Sequence, residues 1–300
     1  MPNDSETPAA ARVNPYLALL SGTLAVSTGA IFARLADAPA LVVAAYRVGL
    51  ATLILLPFAW WRVRGELLRL SPKEVRLASL AGMFLALHFA AWISSLDYTS
   101  VANSVVLVNT NPLWVGLLTP LITRERLHRR TVIGILVSVS GGIIIGAGDV
   151  AGGGRALLGD GLALAGSICA AVYLLLGRNL RRRLSLLAYV MVCYGSAALV
   201  LWAIVLIMGL PVRGFSSGTV TAFWAMALVS QVIGHTSYNW ALRWVSPSLV
   251  AVSLLGEPIG ATILAYVIFG EGLTWAKVIG GVLILSAIYI AACGEKTQTC

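Results

Sequence analysis

Charge is what this chain has least of. Of its 300 residues 11% are Asp, Glu, Lys or Arg and 59% are hydrophobic, and the mean hydropathy is +0.89. A water-soluble domain carries roughly 25% charged residues, because its surface must be covered with groups that water solvates. This chain cannot build such a surface, which excludes a pair of soluble domains and makes lipid the solvent. Cysteine is sparse: Cys169, Cys193, Cys293 and Cys300 show no C-x-x-C spacing, and two fall inside apolar runs. Neither a disulfide framework nor a zinc site is expected. Histidine is scarcer, with three in all, no H-E-x-x-H pairing and no nucleophile set beside a base, which argues against an intramembrane enzyme. There is no G-x-x-x-x-G-K-[ST] loop, so direct use of ATP by this chain is not expected. The first fourteen residues hold Asp4, Glu6 and a single Arg12. That is a poor secretory leader, and the apolar run after it reads as a retained helix. The formal charge of +9 sits in short loops rather than on one folded basic face, so no nucleic-acid partner is expected.

What is present is apolar sequence in blocks. Runs long enough to cross about 30 Å of hydrocarbon, roughly 20 residues each, lie near 15–34, 40–61, 75–96, 101–122, 131–148, 157–177, 186–209, 219–242, 247–269 and 274–292. Turn chemistry separates them, as at Ser71-Pro72, Gly209-Leu210-Pro211, Ser246-Pro247 and Gly270-Glu271-Gly272. With the N-terminus in the cytoplasm, the loops after the even-numbered runs and both tails hold sixteen Lys and Arg, and the opposite side holds four: Arg34, Arg155, Arg213 and Lys277. That asymmetry is the positive-inside pattern and puts both termini in the cytoplasm of a bacterial-type inner membrane. Arg47 alone among the cations lies inside a run.

The chain also repeats itself. Shifted by 146 positions, the fourth and fifth runs fall on the ninth and tenth without a gap: Pro112 meets Pro258, Glu125 meets Glu271, Leu127 meets Leu273, Gly134 meets Gly280 and Ser140 meets Ser286. Trp92 falls on Tyr238 in the same register. Five runs per half is an odd number, so the second half enters the membrane from the other side. Inverted repeats of this kind place a substrate site near the midplane between the halves. The expected fold is an all-α polytopic membrane protein of ten transmembrane helices in two inverted five-helix repeats. Its divisions are a cytoplasmic tail 1–14, repeats 15–148 and 157–292 around a linker 149–156, and a cytoplasmic tail 293–300.

The stretch Ala241–Ile290, with Pro258, Gly270-Glu271-x-Leu273 and Gly280-Gly281, resembles the EamA-type repeat of the drug/metabolite transporter superfamily. Ala102–Ile144, with Asn111-Pro112, Arg124-Glu125-x-Leu127 and Gly134, is a first copy, and Tyr46-Arg47 also fits that pattern. The first copy has Arg124 where the second has Gly270, so the halves are not equivalent. The resemblance covers nearly the whole chain and implies a transporter. The YddG-type amino-acid exporters are the members it points to, while the superfamily as a whole also holds drug exporters and other metabolite carriers.

Several polar residues inside the runs need an explanation, since polar groups in hydrocarbon are costly unless they find partners. The eighth run carries Gln231, His235 and Asn239 four apart, beside Tyr238 and Trp240; the third carries His88 and Trp92. Helix packing is one reading and a cavity lining the other. The inverted repeat places His88 in the outer half of the membrane and His235 in the inner half, where gates belong. Asn109 and Asn111 precede Pro112, which frees a backbone carbonyl one turn earlier. Glu257-Pro258 occupies the same place in the second half, and Glu257 is the one carboxylate well inside a run. It could take a proton or a substrate ammonium, or pair structurally with Arg47. Tyr173 and other mid-run aromatics offer faces to an apolar or aromatic side chain, whereas Trp60, Trp61 and Trp275 sit where an interfacial belt is expected. In the fifth run Gly134, Ser138, Gly142 and Gly146 form a stripe of small residues for close helix packing.

The expected function is outward transport of amino acids or related amphiphilic metabolites by alternating access. A multidrug exporter is the alternative within the class, and a membrane receptor or structural protein the alternative outside it. The expected partners are the small-molecule substrate and the lipid bilayer, with no cofactor and no metal, and the chain is expected to be a monomer.

Overall fold

The computed structural model describes residues 14–99, 101–122, 129–147, 154–270 and 275–296, and every regular element among them is helical. The tails up to residue 13 and from 297, residues 148–153 of the expected linker region, and the elements around Glu125 and Glu271 lie outside the described residues.

Each apolar run becomes a helix, and the turn chemistry between runs becomes helix caps. The first run forms α1 (Pro15–Val26) and α2 (Gly29–Leu35); Asn14 caps α1 by accepting from the Tyr16 N–H. After Pro39 comes α3 (Ala40–Leu67), followed by α4 (Pro72–Ser95). Ser71-Pro72 starts α4 through a capping box: the Ser71 hydroxyl accepts from the Glu74 N–H, and the Glu74 carboxylate accepts from the Ser71 N–H. The fourth run splits into α5 (Val101–Val108) and α6 (Asn111–Ile122), after which come α7 (Arg129–Ala147), α8 (Gly154–Arg181) and α9 (Leu186–Ile207). Gly209, at φ 63°, closes α9 in the left-handed conformation, its N–H on the Leu206 carbonyl and the Leu210 N–H on the Val205 carbonyl. Then follow α10 (Ser217–Ala225), a π-helical segment Met226–His235 and α11 (Thr236–Ala241). The chain ends with α12 (Pro247–Leu254), α13 (Gly256–Phe269) and α14 (Trp275–Lys296).

Seven of these stretches are long and apolar enough to cross a bilayer: Pro15–Leu35, Ala40–Leu67, Pro72–Ser95, Leu157–Arg181, Leu186–Ile207, Ser217–Ala241 and Pro247–Ile268. Their outward faces carry large apolar side chains in open exposure, among them Leu53, Trp61, Leu199, Ile207 and Val267. On a soluble monomer such a surface would be an aggregation site; around a bundle of this length it is the face that hydrocarbon solvates. The chain is therefore an all-helical, multi-pass membrane protein.

The core is set by close helix crossings. Helix α4 lies between α8 and α9, α3 packs on α9, and α7 packs on α14. Gly82 lets α4 meet α9, where a Cβ would stand 2.3 Å from the Cys193 carbonyl oxygen; Gly166 lets α8 meet α4, where a Cβ would stand 3.3 Å from the His88 carbonyl and the Trp92 N–H. In α7, Gly134 and Ser138 are buried, as are Gly280 and Gly281 in α14.

The interruptions of the spans gather in one region. The first run breaks at Ser27-Thr28, the fourth at Asn109-Thr110 and the ninth at Leu255. Pro112 has no N–H to give the carbonyl one turn before it, which accounts for the second break. Non-helical backbone at membrane depth is tolerated where protein or a cavity covers it.

Candidate functional site

Beside all three breaks lies a small cavity with free volume of about 30 Å³. At the ~10–15 Å³ that a buried water requires, it holds two or three waters and no organic solute. A larger hollow of about 490 Å³ lies between α1 and the π-helical segment, bordered by Leu17, Ile233 and Trp240. It is open to the lipid side and no charged group lines it, so the chemistry belongs to the smaller cavity.

Arg47 enters the cavity from α3 and is 1% exposed. Its Nε donates to Gln231 Oε1 at 2.8 Å, its guanidinium lies 4.0 Å over the Phe89 ring, and its Nη1 has no hydrogen-bond partner. Across the cavity Glu257, 8% exposed, follows the break at Leu255, with Asn109 beside its carboxyl. Arg47 and Glu257, foreseen as a structural pair, attract one another within the cavity without a direct hydrogen-bonded contact among the described residues. The guanidinium stands over Phe89, and its Nε is taken by Gln231.

His88 and Trp92 sit one turn apart on α4 with rings stacked at 6.1 Å. The His88 Nδ1 meets the Gly166 carbonyl at 3.0 Å. A carbonyl only accepts, so Nδ1 carries the proton and the ring orientation is fixed by α8. The His235 ring lies 6.3 Å from that of His88, 5.1 Å from Phe89 and 6.4 Å from Tyr173. This corrects the expectation of two histidine gates in opposite halves of the membrane. Depth inferred from the repeat treats a side chain as lying at its own Cα. Long side chains lean toward the N-terminus of their helix, and two that lean together meet.

Tyr238 closes the cavity beside His235, donating to Thr23 Oγ1 at 2.9 Å, and Thr23 in turn donates to the Ser253 carbonyl at 3.0 Å. That relay joins α11, α1 and α12. Tyr173 and Asn111 also line the cavity, and Asn111 Oδ1 and Trp92 Nε1 have no hydrogen-bond partner among the described residues. Gln231 and Asn239 do not line it. Gln231 stands behind Arg47, and Asn239 donates to the Tyr194 hydroxyl at 3.0 Å. Residues 226–235 are wound as a π-helix; Gln231 is engaged by Arg47 and Asn239 by Tyr194, so of the three only His235 reaches the cavity.

Sequence reasoning missed Phe89, Thr23 and Gly166. Phe89 holds the cation by its ring face, and nothing in an apolar neighbour of His88 announces that. A glycine that donates nothing and offers only a carbonyl has no sequence signal either. The interfacial assignment is consistent with exposure of 57%, 74% and 81% for Trp60, Trp61 and Trp275.

Comparison with known proteins bears on what such a cavity serves. The model of the EamA-like transporter family matches twice, over residues 14–147 and 157–293. The chain belongs to the EamA-like transporter family. Among relatives of this EamA-like chain, an "Uncharacterized transporter" of Clostridium kluyveri is 25% identical over 247 residues, covering 79% of this chain and 78% of its own. A second "Uncharacterized transporter", from Archaeoglobus fulgidus, is 25% identical over 82% of this chain and 85% of its own. The "Uncharacterized transporter YyaM" of Bacillus subtilis is 24% identical over 83% of each. One crystal structure superposes with TM-score 0.77 at 20% identity, covering 95% of this chain and 99% of that one; at that identity the likeness is one of fold.

Proposed function

We propose that this EamA-like transporter exports amino acids or related small amphiphilic metabolites by alternating access. It would do so as ten spans in two five-helix repeats of opposite orientation, with both termini on the cytoplasmic side of the inner membrane. The double match of the family model, at 14–147 and 157–293, supports the two-repeat reading, and the charge asymmetry of the loops supports the orientation. The observation that carries the function is the cavity itself. Residues from both matched segments line it, it borders the three breaks described above, and it presents polar atoms of Arg47, Trp92 and Asn111 that have no hydrogen-bond partner among the described residues. Buried polar atoms are nearly always paired, and a cluster of exceptions in one place has a ligand chemistry to answer. Its walls combine those polar atoms with the ring faces of His88, His235 and Tyr238, which suits a solute that is polar at one end and apolar at the other.

The test is uptake by purified protein in proteoliposomes, with the twenty amino acids against a set of lipophilic cationic drugs. Counterflow of amino acids that the drugs do not suppress is the expected result. Drug uptake without amino-acid uptake would favour the multidrug reading. Failure of every solute to exchange would leave a receptor or structural role.

A further inference from the structure

The hollow of about 490 Å³ takes its shape from one helix crossing. Gly22 of α1 and Gly234 of the π-helical segment bring two backbones together. A Cβ on Gly22 would stand 3.1 Å from Tyr238 Cε1 and 3.3 Å from the Gly234 carbonyl, and one on Gly234 would stand 2.7 Å from Val26 Cγ1. The α1 residues that line the hollow, Leu17, Ala18 and Ser21, all precede that crossing, while Thr236, Ser237 and Trp240 follow it on the other helix. The two helices therefore splay from the glycines toward the end that carries most of the arginines, where Leu186 at the start of α9 borders the wedge. The hydroxyls on its walls are occupied within the protein: Ser21 donates to the Ala18 carbonyl at 3.0 Å and Thr236 to the Gln231 carbonyl at 3.3 Å. What remains is an apolar slot. Between residues 232 and 240 its wall runs about 10 Å along the bundle, most of the roughly 15 Å of hydrocarbon in one leaflet.

Cations stand at the mouth of the slot. The Trp240 ring lies 5.9 Å from that of Trp244, and the Arg243 guanidinium lies 5.4 Å over the Trp244 ring. Arg182 and Arg183 lead into Leu186 from the other side, and all three arginines are exposed. Arg181 behind them is buried and feels Arg243 as a like charge. The carboxylates of this end have other uses. Glu66 accepts from the Ser185 N–H, and Glu74, which Arg183 attracts, closes the capping box with Ser71.

We propose that the slot is the binding site of an anionic phospholipid from the leaflet at the arginine-rich end. One acyl chain lies between α1 and α11, and the phosphate meets Arg243 with Arg182 and Arg183. This goes beyond the transport reading and does not depend on it. A gap between helices at hydrocarbon depth, with no charged group on its walls, is filled by the chains that surround it. The arginines then choose among headgroups. A zwitterionic lipid brings its own cation to the mouth, whereas an anionic one brings net negative charge, which basic residues at the membrane surface favour by about fivefold each. A guanidinium over an indole ring keeps its N–H edge for phosphate oxygens. Joining chain and headgroup in one molecule makes each contact raise the local concentration for the other. A soluble phosphate gains nothing from the slot and meets the arginines in screening salt.

The experiment uses the full chain in phosphatidylcholine vesicles containing phosphatidylglycerol, with a photoactivatable diazirine in the acyl chain of one lipid or the other. Adducts are mapped by peptide mass spectrometry. Phosphatidylglycerol should label residues 17–21 and 232–240 at least about fivefold more than phosphatidylcholine does, while exposed faces such as that of Leu199 show no preference. In the triple variant Arg182→Gln, Arg183→Gln and Arg243→Gln the preference at the slot should fall to within twofold. Ala18→Trp, which fills the slot, should remove the adducts at 232–240 from both lipids. Millimolar glycerol 3-phosphate should leave the labelling unchanged. Equal labelling of the slot by the two lipids on the unmodified protein would overturn the proposal, and that arm needs no variant to fold. So would a phosphatidylglycerol preference spread evenly around the bundle, or one that glycerol 3-phosphate abolishes.

Discussion

Replacing Gly82 by alanine tests the packing that holds the cavity wall in place. A Cβ at this position would lie 2.3 Å from the Cys193 carbonyl oxygen and 2.9 Å from the Ser196 Cβ. Carbon and carbonyl oxygen ordinarily approach no closer than about 3.3 Å, so α4 and α9 must part by about 1 Å. Retreat is blocked, because Gly166 of α8 already sits tight against the α4 backbone at His88 and Trp92. Overpacking of this kind costs about 1–3 kcal/mol, and a wedge between two backbones with no free side belongs at the upper end. The lower backbone entropy of alanine returns about 0.5–1 kcal/mol. The net expectation is a loss of roughly 1–2 kcal/mol. Gly161→Ala is the control, since nothing lies within 4 Å of a Cβ there; it should gain about 0.5–1 kcal/mol. Unfolding by SDS in mixed micelles, followed by tryptophan fluorescence, would measure both. Gly82→Ala should also lower transport, because His88 and Trp92 ride further along the same helix. If the two variants prove equally stable, the close α4–α9 crossing is wrong and so is the wall built on it.

Three further outcomes are expected. Glu257→Gln should insert normally and lose at least nine-tenths of transport, read as initial uptake rate at matched protein density; full activity would leave Glu257 a structural role. Tyr238→Phe removes the donor to Thr23 and should lower stability by about 0.5–1.5 kcal/mol, measured in the same SDS titration, with no loss if the relay to Ser253 is immaterial. A reporter active only outside the cytoplasm should be silent when fused at residue 300 and active at residue 152, and the reverse would invert the proposed topology.

Membrane character and helical class were legible in the sequence because they depend on summed hydropathy, which no tertiary contact can reverse. The polar residues within the spans were legible for a related reason. Hydrocarbon allows them no face of their own, so Arg47, His88, Asn109, Asn111, His235 and Glu257 had to converge, and all line one cavity. What failed was finer. Gln231 and Asn239 stand outside the cavity, bonded to Arg47 and Tyr194; a four-residue spacing names a common side of a helix and not which neighbour covers each residue of it. The depth of His88 and His235 was misjudged because an internal repeat fixes Cα positions and says nothing of how far a ring leans. Glu257 was legible as the electrostatic partner of Arg47, but the contacts of Arg47 with Gln231 and Phe89 were not. A guanidinium can equally lie on an aromatic face, at about 0.5–2 kcal/mol, and Phe89 carried no mark of that use.

A cavity with room for two or three waters is too small for any metabolite, and the ties at the ends of the bundle bear on what widening it would break. At the end carrying most of the arginines, the last turn of α8 holds two neighbours by three backbone carbonyls. Arg178 donates to Leu242 at 2.6 Å, Arg181 to Asn239 at 2.9 Å and Asn179 to Ile122 at 3.2 Å. These carbonyls lie at or beside the C-terminal ends of α11 and α6, where orphan acceptors and the negative end of the dipole favour a cation. Glu66, from α3, accepts from the Ser185 N–H at 2.7 Å and ties in the start of α9. The other end is tied as well. Tyr46 donates to the Val212 carbonyl at 2.6 Å, the Asp37 N–H to Thr219 Oγ1 at 3.2 Å, and Thr99 to Asp160 Oδ1 at 2.9 Å. Bonds with an ionised partner are roughly twice as strong as neutral ones, and two of these three are neutral. The α8 ties from Arg178 and Arg181 are charge-assisted, and under the proposed alternating access any movement that opened the arginine-rich end would have to release them together.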